Sequence, residues 1–181
     1  MDAATLIAIL QEAVPGAVLE AAPTVDLQTT IYASRDDVLA ICRVLRDRDD
    51  LRFAVLSELT AVDFHPREPR FELVYLLVSI DHRLRVRMKV RLHGEDAHVA
   101  TVSGIWPAAN WLEREVWDLY GIVFDGHPDP RRLLMPEDWD GFPLRKDYPV
   151  QTRMTTRVAQ PLEVTEAEFR ASVENDRLTR R

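Results

Sequence analysis

The residues with the clearest chemical potential are five carboxylates and one imidazole in the second half of the chain. They are Glu113, Glu115, Asp118, Asp125, Asp129 and His127. Glu115 and Asp118 stand three residues apart, a spacing that places two side chains on one face of a helix. Carboxylates and a histidine in this arrangement could bind a metal ion that activates water. A metal-dependent hydrolase using Glu115, Asp118 and His127 is therefore one hypothesis.

Structural ion pairing is the competing interpretation of these acids, and the sequence favours it. No H-E-x-x-H or H-x-H motif accompanies them, and His127 is a lone histidine before a proline, which is typical of a hydrogen-bonding turn residue. Arg114, Arg131 and Arg132 provide cations close by in the sequence. We therefore expect no catalytic residue, metal ion or cofactor on this chain, and we expect ion pairs within the chain or across an interface.

A second candidate site is a row of cations along a predicted strand. Apolar and basic residues alternate between residues 83 and 92, so the basic side chains share one face of the strand. The basic residues are Arg83, Arg85, Arg87, Lys89 and Arg91. RNA binding is one hypothesis for this face, but no aromatic residues for base stacking are interleaved with the cations, and the net charge is −7. The pattern favours a solvated or acid-paired face, with an acidic partner protein as the next alternative.

The stretch from Gly121 to Pro149 contains five of the eleven prolines and three of the six glycines. Because proline lacks a backbone donor and fixes φ, this stretch predicts an extended ribbon and disfavours a helix or a sheet interior. The ribbon is nevertheless rich in large apolar side chains and paired charges, unlike a flexible linker. Its aromatic and arginine residues are of the types that supply most hot spots at protein interfaces. We therefore expect the ribbon to lie across another protein.

The elements that position these residues begin with two helices. Asp2 predicts the N-cap of a first helix that ends at Pro15 and Gly16. Ser34 and Asp37 predict a capping box at the start of a second helix. The apolar residues of this second helix recur at helical spacing and define its buried face: Val38, Ile41, Cys42 and Leu45.

Strands and a third helix follow. The predicted strands lie at 18–21, 25–33, 59–64, 71–80, 83–92 and 98–102, and the later strands are expected to form an antiparallel meander. Trp106 and Pro107 predict the start of the third helix, and Gly121 predicts its C-terminal cap. Its buried stripe is predicted to consist of Leu112, Val116 and Leu119.

Together these elements predict an α+β fold, with a largely antiparallel mixed sheet, helices packed on it and a long extended C-terminal ribbon. We expect residues 1–121 to form the globular domain. Residues 122–181 are expected to form a partner-wrapping segment with a possible short helix at 166–175. Cys42 is the only cysteine, which predicts no disulfide and no iron–sulfur cluster held by this chain's own cysteines. No apolar run reaches the ~20 residues that a membrane-spanning helix needs.

The region from 110 to 149 contains four consecutive motifs. Glu113 to Gly121 reads E-R-E-x-x-D-x-x-G, Phe124 to Arg132 reads F-x-G-H-P-D-x-R-R, Pro136 to Trp139 reads P-E-D-W, and Gly141 to Pro149 reads G-x-P-L-R-K-D-Y-P. These motifs resemble the signature of the C subunits of the proton-pumping NADH:quinone oxidoreductase, respiratory complex I, and of related proteins in membrane-bound hydrogenase complexes. Pro130 departs from the usual aliphatic residue of the pattern, and Leu59 to Asp63 extends the resemblance more weakly upstream.

The resemblance implies a non-catalytic scaffold subunit that supports electron transfer from NADH through iron–sulfur clusters to quinone, coupled to proton translocation. NADH, FMN, the clusters and quinone would be bound by other subunits, and the isolated chain would be inactive. The implied partners are the D subunit, here called the quinone-cavity subunit because it helps to build that cavity, and the neighbouring iron–sulfur subunits. The implied location is peripheral, on the cytoplasmic side of the bacterial inner membrane. A hydrogenase or other donor dehydrogenase complex is the main alternative.

We expect the partner interface to be formed by residues of the third helix and the ribbon. They are Glu115, Asp118, His127, Arg131, Arg132, Trp139, Arg145, Lys146, Asp147 and Tyr148. Two prolines, Pro143 and Pro149, flank the last four of these residues and hold them extended before binding. Arg145 in particular is expected to form an ion pair with the quinone-cavity subunit.

Overall fold

The computed structural model describes residues 1–26 and 28–149, together with Thr165, Ala167 and Arg170. Met1–Tyr148 form one compact unit, whereas the sequence pattern predicts a domain boundary after residue 121. Residues 122–148, here called the packed segment, therefore belong to the same unit as the preceding chain. Their role in wrapping a partner stays a prediction. The predicted helix at 166–175 lies, apart from Ala167 and Arg170, outside the described residues.

A five-stranded sheet with the strand order β1-β2-β5-β4-β3 forms the centre of this unit. The strands are β1 (Leu19–Ala21), β2 (Thr29–Ala33), β3 (Val55–Asp63), β4 (Phe71–Ser79) and β5 (Leu84–Leu92). Strands β3, β4 and β5 pair antiparallel in succession, β1 pairs antiparallel with β2, and β2 pairs parallel with β5. This mixed, mostly antiparallel sheet with helices confirms the predicted α+β class.

One face of the sheet forms the hydrophobic core, as the period-two pattern requires. Along β4 the residues on this face are fully buried: Phe71, Leu73, Tyr75 and Leu77. Helices α1 (Ala3–Ala13) and α2 (Val38–Asp47) contribute to the same core. The predicted buried face of α2 is confirmed in full. Helix α3 (Ala109–Tyr120) packs along β3.

The two predicted helix starts have different outcomes. Asp2 caps α1 through a 2.8 Å hydrogen bond that its carboxylate accepts from the Thr5 N–H. The predicted capping box of Ser34 and Asp37 is wrong, because neither side chain makes a capping hydrogen bond, although the Ser34 backbone is extended as an N-cap requires. A short 3-10 helix (Arg35–Asp37) precedes α2. The Asp37 carboxylate instead accepts a hydrogen bond from the Val18 N–H at 3.1 Å.

A second, two-stranded sheet corrects two expectations. Strand β6 (His98–Ala100) does not extend the meander but pairs parallel with β7 (Val123–Asp125), the start of the predicted ribbon. This pairing is possible because the prolines of the ribbon begin only at Pro128, so the residues of β7 keep their backbone donors. Gly121, with φ of +73°, ends α3 in the left-handed conformation as predicted and turns the chain toward β6.

Helix α3 differs from its prediction at the start and along its buried face. It begins at Ala109, because Trp106 and Pro107 lie in the preceding turn, where the Trp106 indole donates to the Phe53 carbonyl. Val116 is buried as expected, but Leu112 and Leu119 are only partly buried. The other buried positions of the helix are Ala109, Glu113, Arg114 and Asp118. Within the described ranges, no helix is long and apolar enough to cross a membrane.

Candidate functional site

The predicted site residues lie along α3 and the packed segment that runs against it. Three ionisable residues of α3, namely Glu113, Arg114 and Asp118, are buried. A buried charge is unfavourable unless it is paired and hydrogen-bonded. Each of the three contacts the packed segment or the loop before α3. The helix therefore fixes the path of the packed segment by polar contacts.

Asp118 makes the most complete of these contacts. Its fully buried carboxylate accepts hydrogen bonds from three consecutive backbone N–H groups of the packed segment, those of Leu133, Leu134 and Met135, at 2.7 to 2.9 Å. The Arg132 guanidinium donates to its other oxygen at 2.7 Å. Burial alone would raise the pKa of Asp118, but the hydrogen bonds from Met135 and the other donors outweigh burial and lower it. Asp118 therefore acts as a charged anchor for the chain at residues 132–135.

Arg132 extends this anchor to the next turn of the packed segment. Its guanidinium also donates to the carbonyls of Trp139 at 2.9 Å and Gly141 at 3.3 Å. The same group lies over the rings of Trp117 and Phe142, with distances of 5.6 and 5.9 Å to the ring centroids. One arginine thus connects α3 with residues 139–142 of the packed segment.

Arg114 holds the preceding part of the packed segment. Its guanidinium donates to the carbonyls of Arg131 at 3.0 Å and Arg132 at 3.1 Å, and it lies 3.4 Å from the Asp129 carboxylate. Asp129 is also bound by the exposed Arg131 side chain at 2.6 and 2.8 Å. The Arg114 cation stacks over the ring of Trp111 at 5.0 Å.

His127 and Glu113 join the packed segment to the N-terminal end of α3. The Nε2 atom of His127 lies 3.0 Å from the Asn110 carbonyl, and its Nδ1 accepts from the Asp129 N–H at 3.0 Å, which fits a ring protonated on Nε2. The Glu113 carboxylate lies 3.8 Å from Nε2 and binds the Thr101 hydroxyl and the Val102 N–H. Burial raises the pKa of Glu113 to about 7, although these hydrogen bonds act in the opposite direction.

A second charged cluster fixes the end of the packed segment to the β3–β4 hairpin. Arg70 donates to both oxygens of the buried Asp63 at 2.9 and 3.0 Å and to both oxygens of Asp147 at 2.7 and 3.0 Å. Asp63 also accepts the N–H groups of His65 and Lys146, each at 2.9 Å. Burial opposes ionisation of Asp63, but these donors, above all Arg70, lower its pKa.

Arg145 lies beside this cluster without joining it. Its Nε donates to the Tyr120 carbonyl, and its guanidinium lies 4.6 Å from the ring centroid of Phe142 and 5.4 Å from that of Phe71. Burial, and after it the like charge of Arg70, lowers the pKa of Arg145. Within the part of the chain that the structure describes, no carboxylate forms an ion pair with it.

The aromatic residues Trp139 and Tyr148 stack on each other with ring centroids 6.3 Å apart. The Tyr148 hydroxyl donates to the Asp140 carbonyl at 3.2 Å. The Trp139 Nε1 is buried and has no hydrogen-bond partner among the described residues. The structure therefore brings these two predicted residues together, and it leaves one indole donor without an acceptor.

The ten predicted interface residues differ in how far they are used within the chain. Asp118, Arg132 and Asp147 have partners within the chain. The Glu115 and Lys146 side chains form no ion pair or hydrogen bond with any residue that the structure describes. No contact with a partner is present to test their interface role, which stays a prediction.

Four main internal anchors were not among the ten predicted interface residues: Asp63, Arg70, Glu113 and Arg114. A sequence signal existed for three of them. Glu113 and Arg114 lie in the first of the four motifs, and Asp63 lies in the weaker upstream match. Arg70 lies outside all of these stretches.

The geometry does not support the hydrolase hypothesis. The Asp118 oxygens are occupied by four donors, and both ring nitrogens of His127 contact backbone groups. Among the described residues, no group of three or more His, Cys, Asp or Glu side chains is arranged to hold a metal ion.

The basic strand face matches the acid-paired interpretation. Arg87, Lys89 and Arg91 form ion pairs at 2.6, 2.7 and 3.4 Å. Their respective partners are Asp26, Glu72 and Glu20. Arg91 also stacks over the Tyr32 ring at 3.6 Å. These contacts pair three of the five cations within the chain and argue against a free nucleic-acid surface.

Comparison with solved structures finds a similar fold in a chain of a respiratory membrane complex. The chain matches a chain of the membrane-bound sulfane sulfur reductase, an archaeal respiratory membrane complex, with a TM-score of 0.66 and 25% sequence identity. The match covers 81% of this chain and 85% of that one.

The sequence comparisons identify the family. The family model described as respiratory-chain NADH dehydrogenase, 30 Kd subunit, matches residues 31–154, and the chain belongs to this family. The C subunit of NADH-quinone oxidoreductase from Roseiflexus sp. (strain RS-1) is 44% identical over 151 residues, or 83% of this chain and 86% of that protein. The protein of the same name from Geotalea uraniireducens (strain Rf4) is 44% identical over 124 residues, which covers 68% of this chain and 74% of that protein. The resemblance stated from the motifs is thereby confirmed.

Proposed function

We propose that this chain is a non-catalytic scaffold subunit of the peripheral arm of a proton-translocating NADH:quinone oxidoreductase. The observation that carries the proposal is the two-sided character of the packed segment and α3. The buried charges of Asp118, Arg114 and Asp63 fix the packed segment on its inner side. Large apolar side chains remain exposed on its outer side and on α3. Trp111 is 59% exposed and Leu134 is 60% exposed. Exposed apolar surface on a rigidly held segment suits a protein interface.

In this proposal the assembled complex transfers electrons from NADH through iron–sulfur clusters to quinone and couples the transfer to proton translocation. NADH, FMN, the clusters and quinone are bound by other subunits, and this chain binds no cofactor. The partners are the quinone-cavity subunit and the neighbouring iron–sulfur subunits, and the complex lies with this arm on the cytoplasmic side of the bacterial inner membrane. Family membership and the names of the relatives support this assignment.

The residues predicted for the interface have distinct parts in the proposal. Asp118, Arg132, His127 and Asp147 act from inside, because their contacts set the path of the packed segment. Other residues meet the partner, because their side chains reach the surface or keep polar groups without a partner in the chain. They are Glu115, Arg131, Trp139, Arg145, Lys146 and Tyr148. The first group of residues thus sets the path of the chain, and the second group forms the surface that contacts the partner.

A related membrane-bound complex with another electron donor is the second candidate. The fold match to a chain of the archaeal sulfane sulfur reductase favours it, because that chain belongs to a complex of a different name. The two candidates assign this chain the same scaffold role. They differ in the subunits that it contacts and in the reaction of the parent complex.

Affinity purification of the tagged chain from its native membranes tests both candidates. We expect the chain to be recovered with several other subunits and with NADH-dependent quinone reduction in the purified fraction. Recovery with hydrogenase or sulfur reductase subunits, without NADH-dependent activity, supports the second candidate. Recovery of the chain alone under mild detergent conditions contradicts both candidates.

A further inference from the structure

Arg145 is a partly buried cation that forms no ion pair within the described chain. Its Nε donates to the Tyr120 carbonyl, but its two Nη groups have no hydrogen-bond partner among residues 1–26 and 28–149. A partly buried charged group is stabilised by a hydrogen-bonded partner of opposite charge. This position therefore differs from Arg70, Arg114 and Arg132, each of which has both a carboxylate and further acceptors.

The acids that attract Arg145, Asp63 and Asp147, give it no hydrogen bond, because their oxygens bind Arg70 and backbone donors instead. Asp147 gives both oxygens to Arg70. Asp63 gives both oxygens to Arg70 and to the backbone donors of His65 and Lys146. Arg70 thus takes the side-chain hydrogen bonds of the local carboxylates, which attract Arg145 without a direct contact.

The Arg145 guanidinium is also held in position before any partner binds. It lies against the rings of Phe142 and Phe71, and its stem is fixed by the hydrogen bond to Tyr120. A Cβ at Gly121 would lie 2.6 Å from Arg145 Nη2, so the group also packs closely against this glycine. Aromatic stacking and close packing reduce the entropy that an arginine loses when it forms a bidentate contact.

We propose that Arg145 is a receptor for a carboxylate side chain of an acidic segment on the partner subunit. The guanidinium binds a carboxylate through two parallel N–H···O contacts, and this geometry matches the two unused Nη groups. The proposal rests on the scaffold function above and deepens it by naming the chemistry of the partner at one position.

A protein carboxylate fits this site better than a free phosphate or an anionic lipid. Exposed apolar residues lie beside Arg145 and beside Asp63 in the chain: Leu144, which is 49% exposed, Val62, which is 39% exposed, and Phe64, which is 36% exposed. A partly buried arginine next to apolar surface is typical of an interface hot spot.

The test uses Arg145→Lys, which keeps the charge but removes the planar fork, and Arg145→Gln, which removes the charge. Arg43→Lys is the matched control, because Arg43 is exposed on α2. Each variant is expressed as the full chain in its native host, and the ratio of assembled complex to free chain is measured on native gels at increasing salt. Thermal unfolding of each isolated variant is measured in parallel.

We expect both Arg145 variants to lower the assembled fraction by about tenfold, which is more than any loss of stability of the isolated chain accounts for. Arg43→Lys should match the wild type. Wild-type levels of assembly in both Arg145 variants would overturn the inference and leave the scaffold function intact. A loss of assembly that follows an equal loss of stability in the isolated chain would also overturn it.

Two further outcomes separate the remaining alternatives. Binding of inorganic phosphate that requires Arg145, together with unchanged assembly, would overturn the inference and assign the site to phosphate. If the wild-type chain itself fails to assemble, the scaffold function fails and the inference fails with it.

Discussion

The guanidinium of Arg70 holds the Asp147 carboxylate through two hydrogen bonds of 2.7 and 3.0 Å, although the two residues are 77 positions apart in the chain. Because Arg70 also binds the buried Asp63, a single cation joins the end of β3, the start of β4 and the end of the packed segment. This relationship explains how a proline-rich stretch follows a fixed path without forming a helix or extending the main sheet.

The two carboxylates that share Arg70 should contribute unequally to stability. Asp63→Asn leaves Arg70 without its buried partner, so we expect a loss of roughly 3–5 kcal/mol. The Asp147 side chain is 46% exposed, and Asp147→Asn should cost less than about 1 kcal/mol because water screens this pair. Urea unfolding of the isolated chain measures both values. Equal losses in the two variants would show that burial does not decide the strength of these contacts.

Asp118 should control the protease resistance of the packed segment. In Asp118→Asn, four donors lose a charged acceptor, and residues 126–148 should open locally and be cut much faster than in the wild type. Glu115→Gln is the matched control on the same helix, since Glu115 is only partly buried and anchors none of these donors. The comparison is made by limited proteolysis with mass spectrometry of the fragments. Identical cleavage patterns in the two variants would contradict the anchoring role of Asp118.

The sequence predicted the parts of the fold that depend on local pattern. The alternation in β5, the helical spacing in α2 and the glycine cap of α3 all have a period or a residue type that a short stretch defines. The parallel pairings of β2 with β5 and of β6 with β7 depend on contacts between distant segments, and no local pattern specifies them.

The site was less predictable than the fold for the same reason. Glu113, Arg114 and Asp118 have the composition of a solvated helix face, but they are buried against the packed segment and the loop before α3. Arg70 lies immediately before β4 with no motif around it, and its partner Asp147 is far away in the sequence. The motifs located the functional region, but they did not distinguish the charges that act within the chain from those that remain available to a partner.

Glu113 should make stability depend on pH near neutrality. Its pKa is raised from 4.5 to about 7, so the folded state binds the proton more tightly than the unfolded state does. Stability should therefore fall as pH rises from about 4.5 to 7, by roughly 3 kcal/mol in total, and level off above that range. The pKa values of Asp63 and Asp118 are lowered, so these two carboxylates stabilise the fold when they are charged. Their contribution to stability is lost only at more acidic pH, where they become protonated.

Glu113→Gln checks this linkage, because glutamine keeps the shape of the side chain and cannot ionise. Urea unfolding between pH 5 and pH 8 should show a smaller decline in stability for the variant than for the wild type. A decline of the same size in both proteins would assign the pH dependence to another group.

Gly121 should be required for the position of Arg145 as well as for the helix cap. In Gly121→Ala the new Cβ would lie 2.4 Å from the Phe142 ring and 2.6 Å from Arg145 Nη2, so both side chains must shift. Gly16→Ala provides the control, since Gly16 also has positive φ, at +88°, but no atom lies within 4 Å of its Cβ position.

We expect about 1 kcal/mol of backbone strain in both glycine variants. A further loss of about 1–3 kcal/mol from crowding should appear only at Gly121. Thermal unfolding of the two variants tests this difference, and equal losses would refute the crowding.

The most direct test of the scaffold role compares the amount of complex with its turnover in an Arg145→Ala strain. Native gels give the amount of assembled complex, and NADH-dependent quinone reduction by the same membranes gives the turnover per complex. We expect less assembled complex, with turnover per remaining complex close to that of the wild type, because loss of a scaffold contact affects assembly and not chemistry. Normal assembly with turnover per complex reduced by about tenfold or more would contradict the scaffold role and show that Arg145 acts directly at the reaction site.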